Sequence, residues 1–267
     1  MKYSFLSFST PQLSLAEMLA LADKTGYAGI ELRLASQHRH GVEIDTSSEE
    51  RGKLLERTRS YKAKICCLSS SLQFADPAKT EATKSDAHKI ITLASVMEVP
   101  AIRVFGGIIP EGTSREDAMA CAADALREIA GFARANDVSI CVETHDDWCD
   151  PGDIRNLMQK VNHPAVKVNW DFFHNVIRAG KTVEESFDLL REWIGHVHIH
   201  DGQLINGKIE WQLIGSGKVD HAAAIRCLMQ INYDGYLSGE WIGRDDEPDH
   251  LAKEIVLLKK IERSMGV

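Results

Sequence analysis

The amino-acid sequence predicts one (β/α)₈ barrel domain that spans residues 1–267. Three observations support this fold: short apolar β-like runs recur at intervals of roughly thirty to forty residues, each run precedes a helical stretch, and the connections are short. An open doubly wound sheet is the alternative. That fold normally has a glycine-rich phosphate turn after its first strand, whereas this chain reads SFSTPQLS there.

The eight predicted strands are apolar runs bounded by turn-forming or polar residues. In chain order they cover Tyr3–Phe8, Gly29–Leu34, Lys64–Ser69, Ala101–Phe105, Ser139–Glu143, Val166–Trp170, His196–His200 and Gly235–Glu240.

The helices between these strands have recognisable start signals. Capping boxes are predicted where Ser or Thr precedes Glu by three residues, at Ser14–Glu17, Ser47–Glu50, Thr113–Glu116 and Thr182–Glu185. Pro151 and Pro248 suit the first turns of two further helices. The range Asp201–Val219 has no such pattern and is predicted to be a long irregular loop over the barrel mouth, where substrate contacts usually lie.

Composition narrows the functional class. The formal net charge is −8 and Lys and Arg do not cluster, which argues against a nucleic-acid partner. No apolar stretch reaches eighteen residues, so no membrane span is expected, and the N-terminus resembles a first strand and not a signal peptide. The six cysteines lack CxxC spacing and are expected to be reduced, which favours a cytoplasmic protein.

Four side chains that bind metals well stand where the last four strands end. They are Glu143 in CVETH, Asp171 in VNWDFFH, His198 in GHVHIHD and Glu240 in SGEW. In a closed parallel barrel these ends converge, and three carboxylates at one place would repel each other without a cation. The sequence therefore predicts a divalent metal site. Its oxygen-rich donor set suits Mn²⁺ first, with Mg²⁺, Co²⁺ or Zn²⁺ as alternatives.

Further candidates for substrate contact lie beside these groups. In HVHIHD the three histidines face one side of the strand, and only one of them can lie at the depth of the metal, although spacing alone does not give that depth. His200 is a candidate substrate contact. His145 is expected to face the same way as Glu143 and to orient it. Arg103 is either a substrate contact or part of a buried ion-pair layer with Glu31 and Arg33. Trp211 is a candidate apolar wall for a sugar face.

These motifs, with IGSGKVD, YAGIELR and RVFGG, resemble the xylose-isomerase-like barrel superfamily of sugar isomerases and epimerases. The resemblance covers nearly the whole chain. It implies that Glu143, Asp171, His198 and Glu240 bind the metal, and that His174, in a DxxH arrangement, faces the substrate or supports the ligands. Relatives often read HVHLKD on strand seven, so His200 replaces a lysine.

The chemistry expected of such a site is proton abstraction α to a carbonyl, through a metal-stabilised enediolate. Glu143 and Glu240 would flank the substrate carbon, one carboxylate acting as general base and the other as general acid. The expected function is a metal-dependent isomerase or epimerase of a sugar, sugar acid or related keto-polyol, with no assignment of phosphorylation. The stretch HDDWCDP lacks the further glutamate of the ketose 3-epimerase branch, which weakens that assignment.

Three alternatives and the oligomeric state stay open. A dehydratase of the inosose type would use the same enolate and then expel a hydroxyl. An endonuclease IV-like nuclease would need extra histidines where this chain has CCLSSS and RVFGG, and an Asp-x-His where it has Ile209-Glu210-Trp211. A catalytically inactive carbohydrate-binding barrel is the third. Barrels of this sort often pair, which leaves a homodimer as one arrangement.

Overall fold

The structure, a computed structural model, describes residues 1–244 and 249–265. Within them eight parallel strands close into a barrel, which confirms the predicted fold class. The barrel strands are β1 (Lys2–Leu6), β2 (Gly29–Arg33), β3 (Lys64–Gln73), β4 (Ala101–Phe105), β5 (Ser139–Glu143), β6 (Val166–Asp171), β7 (Ile194–Ile199) and β10 (Tyr236–Gly239). They follow one another in chain order, and β10 closes the barrel by pairing with both β7 and β1.

Helices cover the outside of the barrel. They are α1 (Leu15–Thr25), α2 (Ser48–Thr58), α3 (Thr80–Val96), α4 (Arg115–Ala135), α5 (Pro151–Val161), α6 (Phe172–Ile177), α7 (Val183–Leu190), α8 (His221–Gln230) and α9 (His250–Ser264). Outward-facing strand residues such as Ile30 and Val142 are fully buried in one apolar cluster with helix residues such as Leu19 and Leu126. This layer is the main hydrophobic core, so the barrel interior is free to carry polar groups.

The capping boxes at Ser14–Glu17 and Thr182–Glu185 are confirmed. In each, the hydroxyl accepts a hydrogen bond from the Glu backbone amide and the Glu side chain accepts one from the cap amide. At Ser47–Glu50 only one of the two bonds is present: the Ser47 hydroxyl accepts a hydrogen bond from the Glu50 amide and caps α2. Together these bonds satisfy amides that a helix start leaves without partners.

The box at Thr113–Glu116 is wrong by one residue. Ser114 caps α4 instead, and its hydroxyl accepts a hydrogen bond from the Asp117 amide. The segment TSRED contains both spacings, so the sequence pattern alone does not choose between them. Pro151 occupies the first turn of α5 as predicted, whereas Pro248 lies outside the described residues.

The prediction of an irregular loop over Asp201–Val219 is wrong. Within it β8 (Asp201–Ile205) pairs with β9 (Lys208–Gln212) in an antiparallel hairpin. Asn206 and Gly207 form the turn with φ values of 50° and 78°, the left-handed conformation that two-residue hairpin turns require. The Asn-Gly pair was a legible hairpin signal.

Strand ends differ from the predicted ones by a few residues. β1 stops at Leu6, where a 3₁₀ turn begins, and β7 stops at Ile199, so His200 follows it. All six cysteines are free thiols. No helix in the described ranges combines the length and the apolar character that crossing a bilayer requires.

Candidate metal centre and adjoining cavity

The four side chains predicted as ligands meet at the carboxyl end of the barrel. Asp171 on β6 is in register with His198 on β7, Glu143 ends β5, and Glu240 directly follows β10. Each offers one ligand-capable atom, and these atoms all lie within 4.8 Å of one another. The parallel barrel therefore brings together groups that are separated by nearly one hundred residues of sequence.

The charges at this cluster are strongly coupled. His198 Nδ1 lies 2.9 Å from Glu143 Oε1 and 3.6 Å from Glu240 Oε2. Burial opposes protonation of His198, yet Glu31, Glu143 and Glu240 outweigh it and raise its pKa well above the usual range. Burial opposes ionisation of Glu240, but His198, His200 and Arg103 together outweigh it and lower the pKa of Glu240 to about 2. The imidazole of His198 therefore attracts the carboxylates of both Glu143 and Glu240.

The donor set fits a divalent cation. Three carboxylates and one imidazole are ligands that hard and borderline divalent ions take. Glu143 Oε2 is buried and, among residues 1–244 and 249–265, accepts no hydrogen bond, although Arg103 Nε lies 3.1 Å away. A buried carboxylate oxygen without a hydrogen bond is a group that an ion would satisfy.

A second polar layer lies directly beneath, around Glu31 on β2. This carboxylate is fully buried and contacts His196 Nε2 at 2.8 Å and His198 Nε2 at 3.1 Å, while the Ser69 hydroxyl donates to it. Burial opposes its ionisation, but the two histidines outweigh that effect and lower the pKa of Glu31 well below the usual range. With its pKa raised, His198 donates from both ring nitrogens, Nε2–H to Glu31 and Nδ1–H to Glu143. If Nδ1 were to bind an ion, Glu31 would keep the remaining ring proton on Nε2.

Two residues predicted to contact substrate are instead buried against the candidate ligands. His200 Nε2 lies 2.8 Å from Asp171 Oδ2, and its ring stacks on Trp211 with centroids 4.9 Å apart. Arg103 pairs with Glu143, and its guanidinium carbon lies 4.1 Å from the centroid of the Phe105 ring. The structure therefore places His200 and Arg103 as partners of Asp171 and Glu143, with almost no exposed surface.

A cavity of about 290 Å³ opens beside the cluster. Its lining includes Glu240, His145, His174, Arg178, Ile209 and Trp211. Glu240 is a member of both the candidate ligand set and this lining, so a molecule in the cavity would contact the cluster directly. The hairpin supplies the apolar wall, because Ile209 and Trp211 belong to β9.

His145 and His174 form one side of the cavity, with ring centroids 4.4 Å apart in an edge-to-face arrangement. The expectation that His145 orients Glu143 is corrected, since its Nδ1 instead lies 2.8 Å from Asp146 Oδ1. Burial lowers the pKa of His145, but its bond to Asp146 and the nearby charges of Glu143, Asp146 and Glu240 together outweigh burial and raise that pKa to about 9. His174 is positioned by Asp171, whose Oδ1 accepts from the His174 amide at 3.3 Å.

Sequence reasoning missed two residues near the mouth. Arg178, which follows α6, lines the cavity. Asp201 anchors the loop after the hairpin, because its Oδ2 accepts from the Gly215 and Gly217 amides, both at 2.9 Å. A Cβ atom at Gly217 would come within 2.1 Å of Asp201 Oδ1, which explains the glycine. The sequence did contain a signal for this anchor: an aspartate directly after strand seven, followed by the glycine-rich IGSG motif whose amides it accepts from.

A family model described as xylose isomerase-like TIM barrel matches residues 19–261. This chain belongs to that family. The resemblance found in the sequence motifs is thereby confirmed at the level of the superfamily.

Two sequence relatives carry named activities. The chain is 27% identical over 204 residues to 3-dehydroshikimate dehydratase from Bacillus anthracis, covering 74% of this chain and 71% of that protein. It is 23% identical over 182 residues to 2-oxo-tetronate isomerase from Pectobacterium atrosepticum, covering 66% of this chain and 67% of that protein.

Solved structures agree in fold. The probable 3-DHS dehydratase from Bacillus anthracis superposes with a TM-score of 0.81 at 23% identity, covering 97% of this chain and 99% of that one. A D-tagatose 3-epimerase-like protein superposes with a TM-score of 0.80 at 20% identity, covering 100% and 98%. At these identities the likeness shows a shared barrel, and the relatives divide between dehydratases, isomerases and epimerases.

Proposed function

We propose that this protein is a divalent-metal-dependent isomerase or epimerase of a sugar, sugar acid or related keto-polyol. The observation that supports it most is the convergence of four donor atoms within 4.8 Å beside a cavity that Glu240 also lines. A substrate in that cavity would meet an ionised carboxylate and an ion site together. A carboxylate base removes a proton α to a carbonyl, and a divalent ion stabilises the negative charge that then develops on oxygen.

Glu143, Asp171, His198 and Glu240 would hold the ion, with Mn²⁺ as the first candidate. When bound, it supplies Lewis acidity for the negative charge that develops on the substrate oxygens. Glu31 and His200 support this set, since Glu31 holds His198 through Nε2 and His200 holds Asp171 through its own Nε2. Such outer contacts fix the direction in which each donor points.

Glu240 is proposed as the base because it borders the cavity and its lowered pKa keeps it ionised at neutral pH. It takes the α-proton from the substrate carbon. Glu143, on β5, is proposed as the second group: in its protonated form it would give its proton to the substrate, while Glu240 keeps the proton it has taken and later releases it to solvent. Return to the opposite face of the same carbon gives an epimer, and return to the neighbouring carbon interconverts ketose and aldose.

The cavity walls suit a polyhydroxylated molecule. His174 Nδ1 is buried and has no hydrogen-bond partner in the described part of the chain, so it is available to a substrate hydroxyl. His145 lies beside it, and Trp211 with Ile209 offers an apolar surface to the C–H face of the substrate. A volume of about 290 Å³ is at the small end for ligand pockets and suits a molecule of sugar size.

Dehydration is the second candidate reaction. It is favoured by the dehydratase relative, which matches more of the chain than the isomerase relative does. It would share the first proton transfer, after which a β-hydroxyl leaves and takes up a proton. His145, bonded to Asp146 with a pKa raised to about 9, is a protonated group at the cavity that could supply it.

The test is proton exchange in D₂O. Mn²⁺-loaded protein is incubated with ketoses, inososes and hydroxypyruvate, and deuterium at each α-carbon is followed by NMR. We expect Glu240→Gln to lower exchange about 10²–10⁴-fold because the base is lost. Glu210→Gln is the matched control, since Glu210 is an exposed carboxylate on β9. Dehydration is distinguished by loss of water and by ultraviolet absorbance of a conjugated product.

Chelator treatment should stop exchange, and added Mn²⁺ or Co²⁺ should restore it. Exchange that survives complete removal of metal would exclude the metal-dependent reaction. Full exchange in Glu240→Gln would exclude Glu240 as the base.

A further inference from the structure

Arg178 is exposed and lines the cavity that Glu240 borders. Its side chain makes no ion pair or hydrogen bond with any residue in the described ranges. Other arginines near the mouth are engaged: Arg103 pairs with Glu143, and Arg33 donates to the Leu34 carbonyl at 2.7 Å. Asp146 and Glu240 also line this cavity, but neither forms an ion pair with Arg178, so its guanidinium is open to an anionic ligand.

The local sequence aligns this cation with the candidate ligands. Asp171, His174 and Arg178 are spaced by three and four residues in DFFHNVIR, so they lie on one face of α6 and its ends. The Arg178 amide donates to the His174 carbonyl at 3.0 Å, which keeps the last turn helical. At 1.5 Å per residue the face extends about 10 Å from the ion site outwards. A distance of about 10 Å is enough for a short carbon chain together with the side-chain contacts at its two ends.

We propose that Arg178 binds a carboxylate of the substrate, which makes the substrate a polyhydroxylated keto acid and not a neutral sugar. This inference rests on the proposed function and names its substrate class. The carbonyl end of the acid would lie at the four donors and its carboxylate at Arg178. A guanidinium matches the two oxygens of a carboxylate with parallel N–H donors.

A second observation supports the orientation. His174 has a side chain only 7% exposed, lines the cavity, and carries an Nδ1 without a partner among the residues described. It lies between Asp171 and Arg178 on the same face. A hydroxyl in the middle of a keto acid would satisfy this nitrogen while both ends of the molecule are held. Ile209 and Trp211 add apolar surface to the lining of the same cavity.

The experiment measures binding to the Mn²⁺-loaded full chain by calorimetry. The probes are two matched pairs, D-fructose with D-fructuronate and D-tagatose with D-tagaturonate. Within each pair only a terminal hydroxymethyl is replaced by a carboxylate. We expect at least one uronate to bind about tenfold or more tightly than its ketose, as a charged hydrogen-bonded pair provides. Arg178→Gln should bring that ratio close to one, and Arg178→Lys should keep part of it.

Arg155→Gln is the matched control, because Arg155 is an exposed arginine on α5 whose loss changes the net charge equally. Its uronate preference should equal that of the wild-type protein. D-fructose 6-phosphate is an additional arm that separates a carboxylate from a phosphate. Tighter binding of the phosphate than of either uronate would overturn the assignment.

Two further results would overturn it: equal affinity for ketose and uronate in both wild-type pairs, or an unchanged ratio in Arg178→Gln. Mn²⁺ affinity is measured on the same samples by electron paramagnetic resonance. If the wild-type protein does not bind Mn²⁺, both the proposed function and this inference are refuted. Intact Mn²⁺ binding with a ratio of one would refute the role of Arg178 alone.

Discussion

Replacement of Glu31 by glutamine tests whether the layer beneath the cluster controls metal binding. Glu31 accepts from His196, His198 and Ser69, and it is fully buried. The glutamine amide keeps the shape but replaces one acceptor oxygen with a donor. One imidazole N–H would then face an N–H group, and that ring must lose its hydrogen bond or turn over.

The size of the effect on Mn²⁺ affinity depends on which histidine ring loses its hydrogen bond to residue 31. If His198 turns, its Nδ1 no longer faces Glu143 and Glu240, which it approaches to 2.9 Å and 3.6 Å. Loss of an outer carboxylate contact typically weakens metal binding about 10–100-fold. That range corresponds to about 1.4–2.8 kcal/mol of binding free energy. We expect Glu31→Gln to raise the Mn²⁺ dissociation constant by this amount.

The assay is titration of metal-free protein with Mn²⁺, read from the resonance of the free ion. Circular dichroism and thermal unfolding in chelator confirm that the variant is folded. Glu254→Gln is the matched control, since Glu254 is a buried carboxylate of α9 that accepts from the Ile214 amide at 3.0 Å. It should lose stability while its Mn²⁺ affinity stays near the wild-type value. A folded Glu31→Gln protein that binds Mn²⁺ within twofold of wild type would refute the reasoning.

Two other predictions concern stability. Burial opposes protonation of His40 more than its bond to the Arg33 carbonyl favours it, and lowers its pKa to about 4. Because the unfolded chain then takes up this proton first, stability is lost as pH falls from about 6.5 towards 4. We expect a loss of about 2 kcal/mol between roughly pH 7.5 and 5, measured by urea unfolding, which His40→Gln should lack. Gly217→Ala would place a methyl 2.1 Å from Asp201 Oδ1. We expect this variant to lower Tm on the order of 5 °C and to speed hydrogen exchange of the Gly215 amide. Unchanged exchange would contradict the role of Asp201 as the anchor of this loop.

The barrel and its four candidate ligands were readable because they depend on short-range signals. Each strand is a compact apolar run, and a parallel barrel places every carboxyl end at one rim. Glu143, Asp171 and Glu240 stand at or just after such ends, so their convergence follows from topology without any knowledge of side-chain packing. The hairpin at Asn206-Gly207 was equally readable, and its omission was a missed turn signal.

The sequence did not predict which carboxylate each histidine inside the barrel contacts. His196, His198 and His200 alternate identically in sequence, yet one contacts Glu31 alone, one contacts Glu31 and Glu143, and one contacts Asp171. These contacts depend on the depth of each residue along the barrel axis, which the stagger between strands sets.

The chain's local patterns thus determined its architecture, the rim at which chemistry collects and the donors offered there. The closure of the barrel assigned Arg103 and His200 to those donors, Arg178 to the cavity wall and Asp201 to the loop anchor. The physical reason is that each such contact joins residues from different strands or loops, and their distance exists only once the sheet has closed.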